Sequence, residues 1–212
     1  MNESTQLLHR LSAAGKNRDE QANLALAKGI AARRNEAEVV ELFNLLEQKS
    51  KDLQHDVIKV IYEIAVISPT LIAPFSGKLV QLLTHTSNRV QWGAMTALAA
   101  ITAEVPATIF SFLPAIIEAA EKGSVITNDQ CVYHLAKLAA EKRFEDACLA
   151  ELNKRLQKAP VNQLPMYAEI FAPVINVKHR SAFVKTLSLR LNEIEKESKR
   201  LRVEKIIRKL LK

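Results

Sequence analysis

Residues 88–122 read NRVQWGAMTALAAITAEVPATIFSFLPAIIEAAEK. Val90, Ala94, Ala97, Leu98 and Ile101 fall three or four apart, so they share one face of a helix. After a break at Glu104-Val105-Pro106, the residues Ile109, Phe112, Leu113, Ile116, Ile117 and Ala120 repeat the pattern on a second helix. A hairpin of this kind has one apolar side and cannot bury it alone. It needs neighbours of the same construction.

Those neighbours stand at an offset of 37 residues. Leu98 and Ile101 map back onto Ile61 and Ile64 and forward onto Leu135 and Leu138; one more step reaches Ala172 and Ile175. Phe112 maps onto Phe75 and Leu149, and Pro106 onto Pro69, at the break between helices. Several columns recurring at one spacing, each with helix–turn–helix content, signal an α-solenoid.

The run Val90-x-Trp92-x-Ala94-x-x-Ala97-Leu98-x-x-Ile101 resembles the first helix of a HEAT repeat, and Pro106 with the apolar run after it is similar to the second. The resemblance spans residues 19–192. Tetratricopeptide arrays have a shorter period and a Trp/Gly/Tyr signature that is missing here. The resemblance implies an all-α, right-handed solenoid of about five helix–turn–helix repeats. It also implies a non-enzymatic binding scaffold whose second helices line a concave face.

Composition agrees with that architecture. Hydrophobic residues make up 48% of the chain and aromatics only 5%, so the core is aliphatic and small-sided. Gly and Pro are few, which favours long helices over sheets, and no stretch alternates with period two, so no strands are expected. Cys131 and Cys148 are the only cysteines and read as two small buried hydrophobes, so no disulfide framework is expected. No span approaches the roughly 18 apolar residues of a membrane helix. The opening MNESTQLLHRLSAAG lacks the charge-then-apolar order of a signal peptide. A soluble cytoplasmic protein is the expectation.

Taken in order, one domain over 1–212 is expected: an N-terminal cap over 1–18, repeats over 19–192 and a basic C-terminal helix over 193–212. Leu7, Leu8 and Leu11 mark the cap helix, which Gly15-Lys16-Asn17 ends. Asp19 starts the next helix and Asn35 caps the one after it. Asp52 to Ser68 is a first helix; Pro74 delays the second, which ends by His85. Gly123-Ser124 stops the central repeat. Asp129–Lys142 and Glu145–Lys158 form the fourth hairpin, and Pro173 is expected to kink the first helix of the fifth. The final stretch reads as one long basic helix, or two joined at a weak point near Ser198.

Charge is the strongest functional asymmetry. Residues 178–212 hold twelve Lys or Arg against four acids, a net of +8, so residues 1–177 carry about −1 of the total +7. Cations at this density suit an acidic protein or peptide, or nucleic-acid phosphates. A solvated end cap is the competing reading. Among the second helices the basic character grows toward the C-terminus. Lys154, Arg155, Lys158, Lys185 and Arg190, with Lys199, Arg200 and Arg202 on the last helix, are therefore the candidate partner-binding residues. The expected partner is an acidic protein or peptide, and nucleic acid is the alternative. The sequence gives no oligomeric state.

No catalytic, metal or cofactor residue is expected. His55-Asp56 resembles the dyad of metal-dependent HD phosphohydrolases, but the other histidines fall on different hairpins. There is no phosphate-cradling glycine loop and no cysteine pair at zinc spacing. Some alkylpurine DNA glycosylases are HEAT-like and pair an Asp with cleft aromatics. The single Trp92 has no Asp within a helical turn, so nothing is carried over from them. Trp92 either anchors a partner or covers its own repeat junction.

Overall fold

The computed structural model describes residues 3–11 and 20–212, which form helices and turns with no strand among them. The expected helix stop at Gly15-Lys16-Asn17 and start at Asp19 lie outside the described residues. The chain forms two compact units, Met1–Cys131 and Val132–Lys212.

In the first unit α1 (Glu3–Arg10) packs on α2 (Glu20–Arg33), with Leu7 and Leu11 buried. The turn into α3 (Glu36–Leu45) is a double hydrogen bond, Arg34 N–H to Ala31 C=O and Asn35 N–H to Ile30 C=O, each 3.2 Å. This is the Schellman geometry, and it places Arg34 at φ 49°, where glycine is the usual residue. Asn35 Oδ1 then accepts from the Glu38 N–H at 3.1 Å, the N-cap its position predicts.

α4 (Lys51–Ile67) is capped by Ser50 Oγ and followed by α5 (Pro69–Ile72), a 3-10 turn over Ala73–Phe75 and α6 (Ser76–Gln81). Pro69 sits at the first turn of α5, where its missing N–H costs nothing, and Pro74 delays the helix by falling in the 3-10 turn. α7 (Asn88–Ile101) precedes α8 (Pro106–Ser111) and α9 (Leu113–Lys122). The second helix of this hairpin is thus broken at Phe112. Pro114 lacks the N–H that would bond the Phe110 carbonyl, and the sequence reading had one continuous helix there.

The first helices stack α2 on α4 and α4 on α7. Ile61, Ile64, Leu98 and Ile101, the repeat columns, are fully buried. The stack is close because Gly93 faces Ile58: a Cβ built on Gly93 would lie 2.6 Å from Ile58 Cγ1. Phe75 stacks on Phe43 of the preceding second helix at 4.6 Å, which explains the aromatic in that column. α10 (Val125–Ala139) crosses the boundary between the units. It begins four residues before the expected Asp129, because Ser124 Oγ accepts the Thr127 N–H at 3.3 Å and caps it.

The second unit continues with α11 (Glu145–Lys158), α12 (Leu164–Phe171), α13 (Val177–Arg190) and α14 (Glu197–Leu210). α13 packs on α11, and α14 packs on α12 and α13. One expectation is corrected here and another is sharpened. Pro173 does not kink a first helix but follows its end; Ala172 and Ile175 lie in the turn before Asn176, whose side chain caps α13. The basic C-terminal stretch is two helices. They are parted by a 3-10 turn over Leu191–Glu193 and extended Ile194, upstream of the Ser198 weak point. Ile194 is buried and anchors that break.

Candidate functional site

The second unit's basic residues divide into two groups by what their side chains touch. The first group ties neighbouring helices together. Arg190 donates to the Leu156 and Ala159 carbonyls at 2.9 and 2.8 Å, satisfying the open C-terminal end of α11. Its guanidinium also meets both carboxylate oxygens of Glu193, and that contact holds the Glu193 carboxyl below its usual range. Lys178 and His179 both reach Asp146 across α11 and α13, at 2.6 and 3.0 Å; the Lys178 bond, then His179, keep Asp146 ionised to lower pH than usual. Thr186 donates to Asn153 Oδ1 at 3.0 Å further along the same pair of helices.

Between α12 and α14, Arg202 grips Glu169 with a fork, Nε to Oε1 at 2.7 Å and Nη2 to Oε2 at 2.5 Å. Arg202 thereby holds the Glu169 carboxyl low. Lys199 donates to Asn162 Oδ1 at 2.9 Å. These bonds join residues 31–37 apart in the chain. The 37-residue repeat thus reappears as a ladder of polar contacts, mostly shortened by about one helical turn.

Of the eight predicted site residues, Arg190, Lys199 and Arg202 are accordingly engaged with neighbouring helices, Arg202 through a pair that stays about half-exposed. Arg155 is also withdrawn: its side chain is 9% exposed and 3.4 Å from Glu151. Lys154 is exposed with a loose 3.5 Å contact to Glu151, and Arg200 is half-exposed beside Glu204 at 3.8 Å. Lys158 and Lys185 are exposed, with no side-chain partner among the described residues. Lys154 and Lys158 share one stripe of α11 by their four-residue spacing, and the register of the α11–α13 bonds sets Lys185 level with Leu152.

Sequence reasoning missed a groove on this unit. It has a volume of about 400 Å³ and lies between the end of α12 and the last two turns of α14. Ala172, Pro173, Ile206 and Leu210 make its apolar floor, and Lys205 and Lys209 stand on its rim beside the Glu169–Arg202 pair. The signal available was the alternation of Lys205-Ile206 with Lys209-Leu210, one turn apart.

The other residues singled out in the sequence have structural partners. His55 Nε2 lies 2.9 Å from Ser87 Oγ, and Asp56 accepts from the buried Asn23 at 2.8 Å. Burial, then the charge of Arg89, lowers the His55 pKa. Among the described residues no group of three His, Cys, Asp or Glu could hold a metal ion. Trp92 is half-buried against Tyr62, ring centres 5.6 Å apart, and Tyr62 is covered by the Lys59 ammonium at 4.8 Å. It covers the α4–α7 junction. Among the described residues no helix is long and apolar enough to cross a membrane.

No protein-family model matches the chain, and no curated protein matches it significantly. Solved structures do. A designed armadillo repeat protein in complex with the peptide (KR)4 is similar over 100% of both chains, at 17% identity and a TM-score of 0.61. A computationally designed armadillo repeat protein for modular peptide recognition covers 97% of this chain and 98% of its own, at 19% identity and a TM-score of 0.60. An engineered protein from a structural genomics consortium covers 99% and 98%, again at 19% and 0.60. The chain has the fold of an all-α repeat solenoid.

Proposed function

We propose that this chain is a non-enzymatic scaffold of HEAT-like hairpins that binds an acidic protein or peptide through its C-terminal unit. The observation that supports the reading is the division among the cations. Lys158, Lys185, Lys205 and Lys209 are exposed without side-chain partners among the described residues, while their neighbours are engaged in the fold. Ammonium groups held in solvent on one small unit favour ligands of opposite charge. The likeness to designed peptide-recognition proteins supports a repeat surface as the binding element. One of those proteins is seen with a Lys/Arg peptide; the exposed cations of this chain suit an acidic ligand instead. Lys154, Lys158, Lys185 and Arg200, with Lys205 and Lys209, are the contacts we assign to the partner, and Arg155, Arg190, Lys199 and Arg202 keep the surface in place. Cys131 and Cys148 are both buried, in keeping with their reading as small core hydrophobes in a protein of a reducing compartment.

The test is fluorescence anisotropy on the full chain with a labelled Glu-rich peptide and an oligonucleotide of equal length and charge. A salt series extends past about 0.15 M, where the screening length is about 8 Å. The proposal expects the peptide to remain bound after the oligonucleotide has dissociated. Tighter oligonucleotide binding throughout, falling steeply with log salt, would establish the nucleic-acid reading instead.

A further inference from the structure

The groove between α12 and α14 defines its ligand more narrowly than net charge does. Lys205 and Lys209 are four residues apart on α14, as are Ile206 and Leu210. At that spacing their Cβ atoms lie about 5–6 Å apart, so the wall repeats one cation and one aliphatic group per turn. The only carboxylate of the lining, Glu169, is neutralised by the Arg202 fork, and that contact keeps it ionised and occupied. Lys205 and Lys209 have no side-chain partner among the described residues, so the groove keeps a local charge of two. Its floor of Ala172, Pro173, Ile206 and Leu210 gives a nucleic-acid backbone nothing to bond. An aliphatic side chain would lose apolar area to it.

We infer that this groove receives an amphipathic helix of a partner protein, with acidic residues one turn apart flanking a stripe of Leu-like side chains. The occupant's carboxylates meet Lys205 and Lys209 while its aliphatic side chains enter between Pro173 and Ile206, a helix-in-groove mode. The inference rests on the protein-binding reading above and specifies the partner's chemistry.

The probe is a labelled synthetic helix of about 18 residues, a length at which an isolated helix begins to persist. It carries Glu at positions i and i+4 beside Leu, and a control peptide has Ser in place of Leu. Anisotropy is measured with the full chain, with Lys205→Glu/Lys209→Glu, with Lys205→Arg/Lys209→Arg and with Lys158→Glu/Lys185→Glu. Circular dichroism confirms that each variant stays helical. The expected results are binding of the Leu peptide and at least about tenfold weaker binding of the Ser control, one decade being 1.4 kcal/mol. Loss of at least about the same factor is expected on reversal at 205/209, with retention in the Arg variant. Equal binding of both peptides, or loss on reversal at 158/185 but not at 205/209, would overturn the groove assignment and leave the acidic-partner reading standing. No binding of either peptide even at low salt would overturn both. Displacement of the Leu peptide by an equally charged oligonucleotide at 205/209 would assign the groove to nucleic acid and overturn it.

Discussion

The pair α4–α7 in the first unit and the pair α12–α14 in the second are both first helices of adjoining repeats, yet they are held by different physics. α4 and α7 meet through fully buried Val57, Ile58, Ile61 and Ile64 on one side and Val90, Ala94, Leu98 and Ile101 on the other. α14 contributes a single buried residue, Val203, and its hold on α12 is completed by Arg202–Glu169 and Lys199–Asn162. Apolar burial is not screened by salt, and its close packing makes it sensitive to changes of volume. Exposed polar contacts are individually weak, specific in register and sensitive to pH and ions. A repeat array can therefore keep its early hairpins rigid and leave its last ones adjustable, with cations to spare for a ligand.

The sharpest way to break this contrast is to empty the apolar seam. Ile61→Ala is expected to cost about 2–5 kcal/mol, as for other buried Ile truncations. Chemical denaturation should show the loss unchanged between low and high salt. In the second unit Arg190→Ala leaves the α11 carbonyls of Leu156 and Ala159 without their donor; a cost of about 1.5–3 kcal/mol follows from bonds to a charged group. That cost would appear in the unfolding of the C-terminal unit, followed by hydrogen exchange.

Gly93→Ala and Gly77→Ala set packing against propensity. The first forces a Cβ to 2.6 Å from Ile58, an overpacking cost of about 1–3 kcal/mol against a helix gain of up to about 1. The second meets nothing within 4 Å and should gain about 0.5–1 kcal/mol. Melting temperatures should move in opposite directions. If both rise, the α4–α7 contact is looser than described.

The smallest expected effect is that of Glu169→Gln. Both partners of its ion pair are more than 40% exposed, so screening leaves less than about 1 kcal/mol. Its pH signature is more telling than its size. Asp146, Glu169 and Glu193 have depressed folded pKa values, so their stabilisation is present above the unfolded pKa. It is lost as pH falls through the folded values, which lie below the ordinary range of each carboxylate. The apolar seam of α4–α7 does not titrate; beside it His55, which meets Ser87 and whose pKa burial lowers, gains a proton as pH falls, but no buried contact of the seam depends on it. Hydrogen exchange between pH 5 and pH 3 should therefore loosen α12–α14 before α4 and α7. Loosening of α4 and α7 first would contradict the comparison.

These differences also show what a sequence can carry. Proline positions were legible at Pro69 and Pro106 because each opens a helix, and Asn35 because an N-cap acts within three residues. Local chemistry of that range is written in neighbouring letters. The start of α10 was missed because Ser124 was read as ending the preceding helix when it caps the next. Pro173 was misplaced because the 37-residue register slips in the last copy, where α12 has only eight residues. For the site, the excess of cations was legible and its division was not. Whether Arg202 or Lys205 is engaged depends on Glu169, a residue 33 positions before Arg202 on another helix. The burial of Arg155 is likewise set by packing that its own sequence neighbourhood does not reveal.

The most direct test of the central claim, that the C-terminal unit divides its cations between fold and ligand, is amine labelling of the full chain read lysine by lysine. It is run with and without the acidic Leu-containing helix. The account predicts that Lys205 and Lys209 label rapidly in the free chain and become protected by the peptide. Lys199, half-buried and bonded to Asn162, should label more slowly and equally in both conditions, and Lys178, exposed but paired with Asp146, should be unchanged by the peptide. Uniform labelling of all four, or protection of Lys178 and Lys199 in place of Lys205 and Lys209, would contradict it.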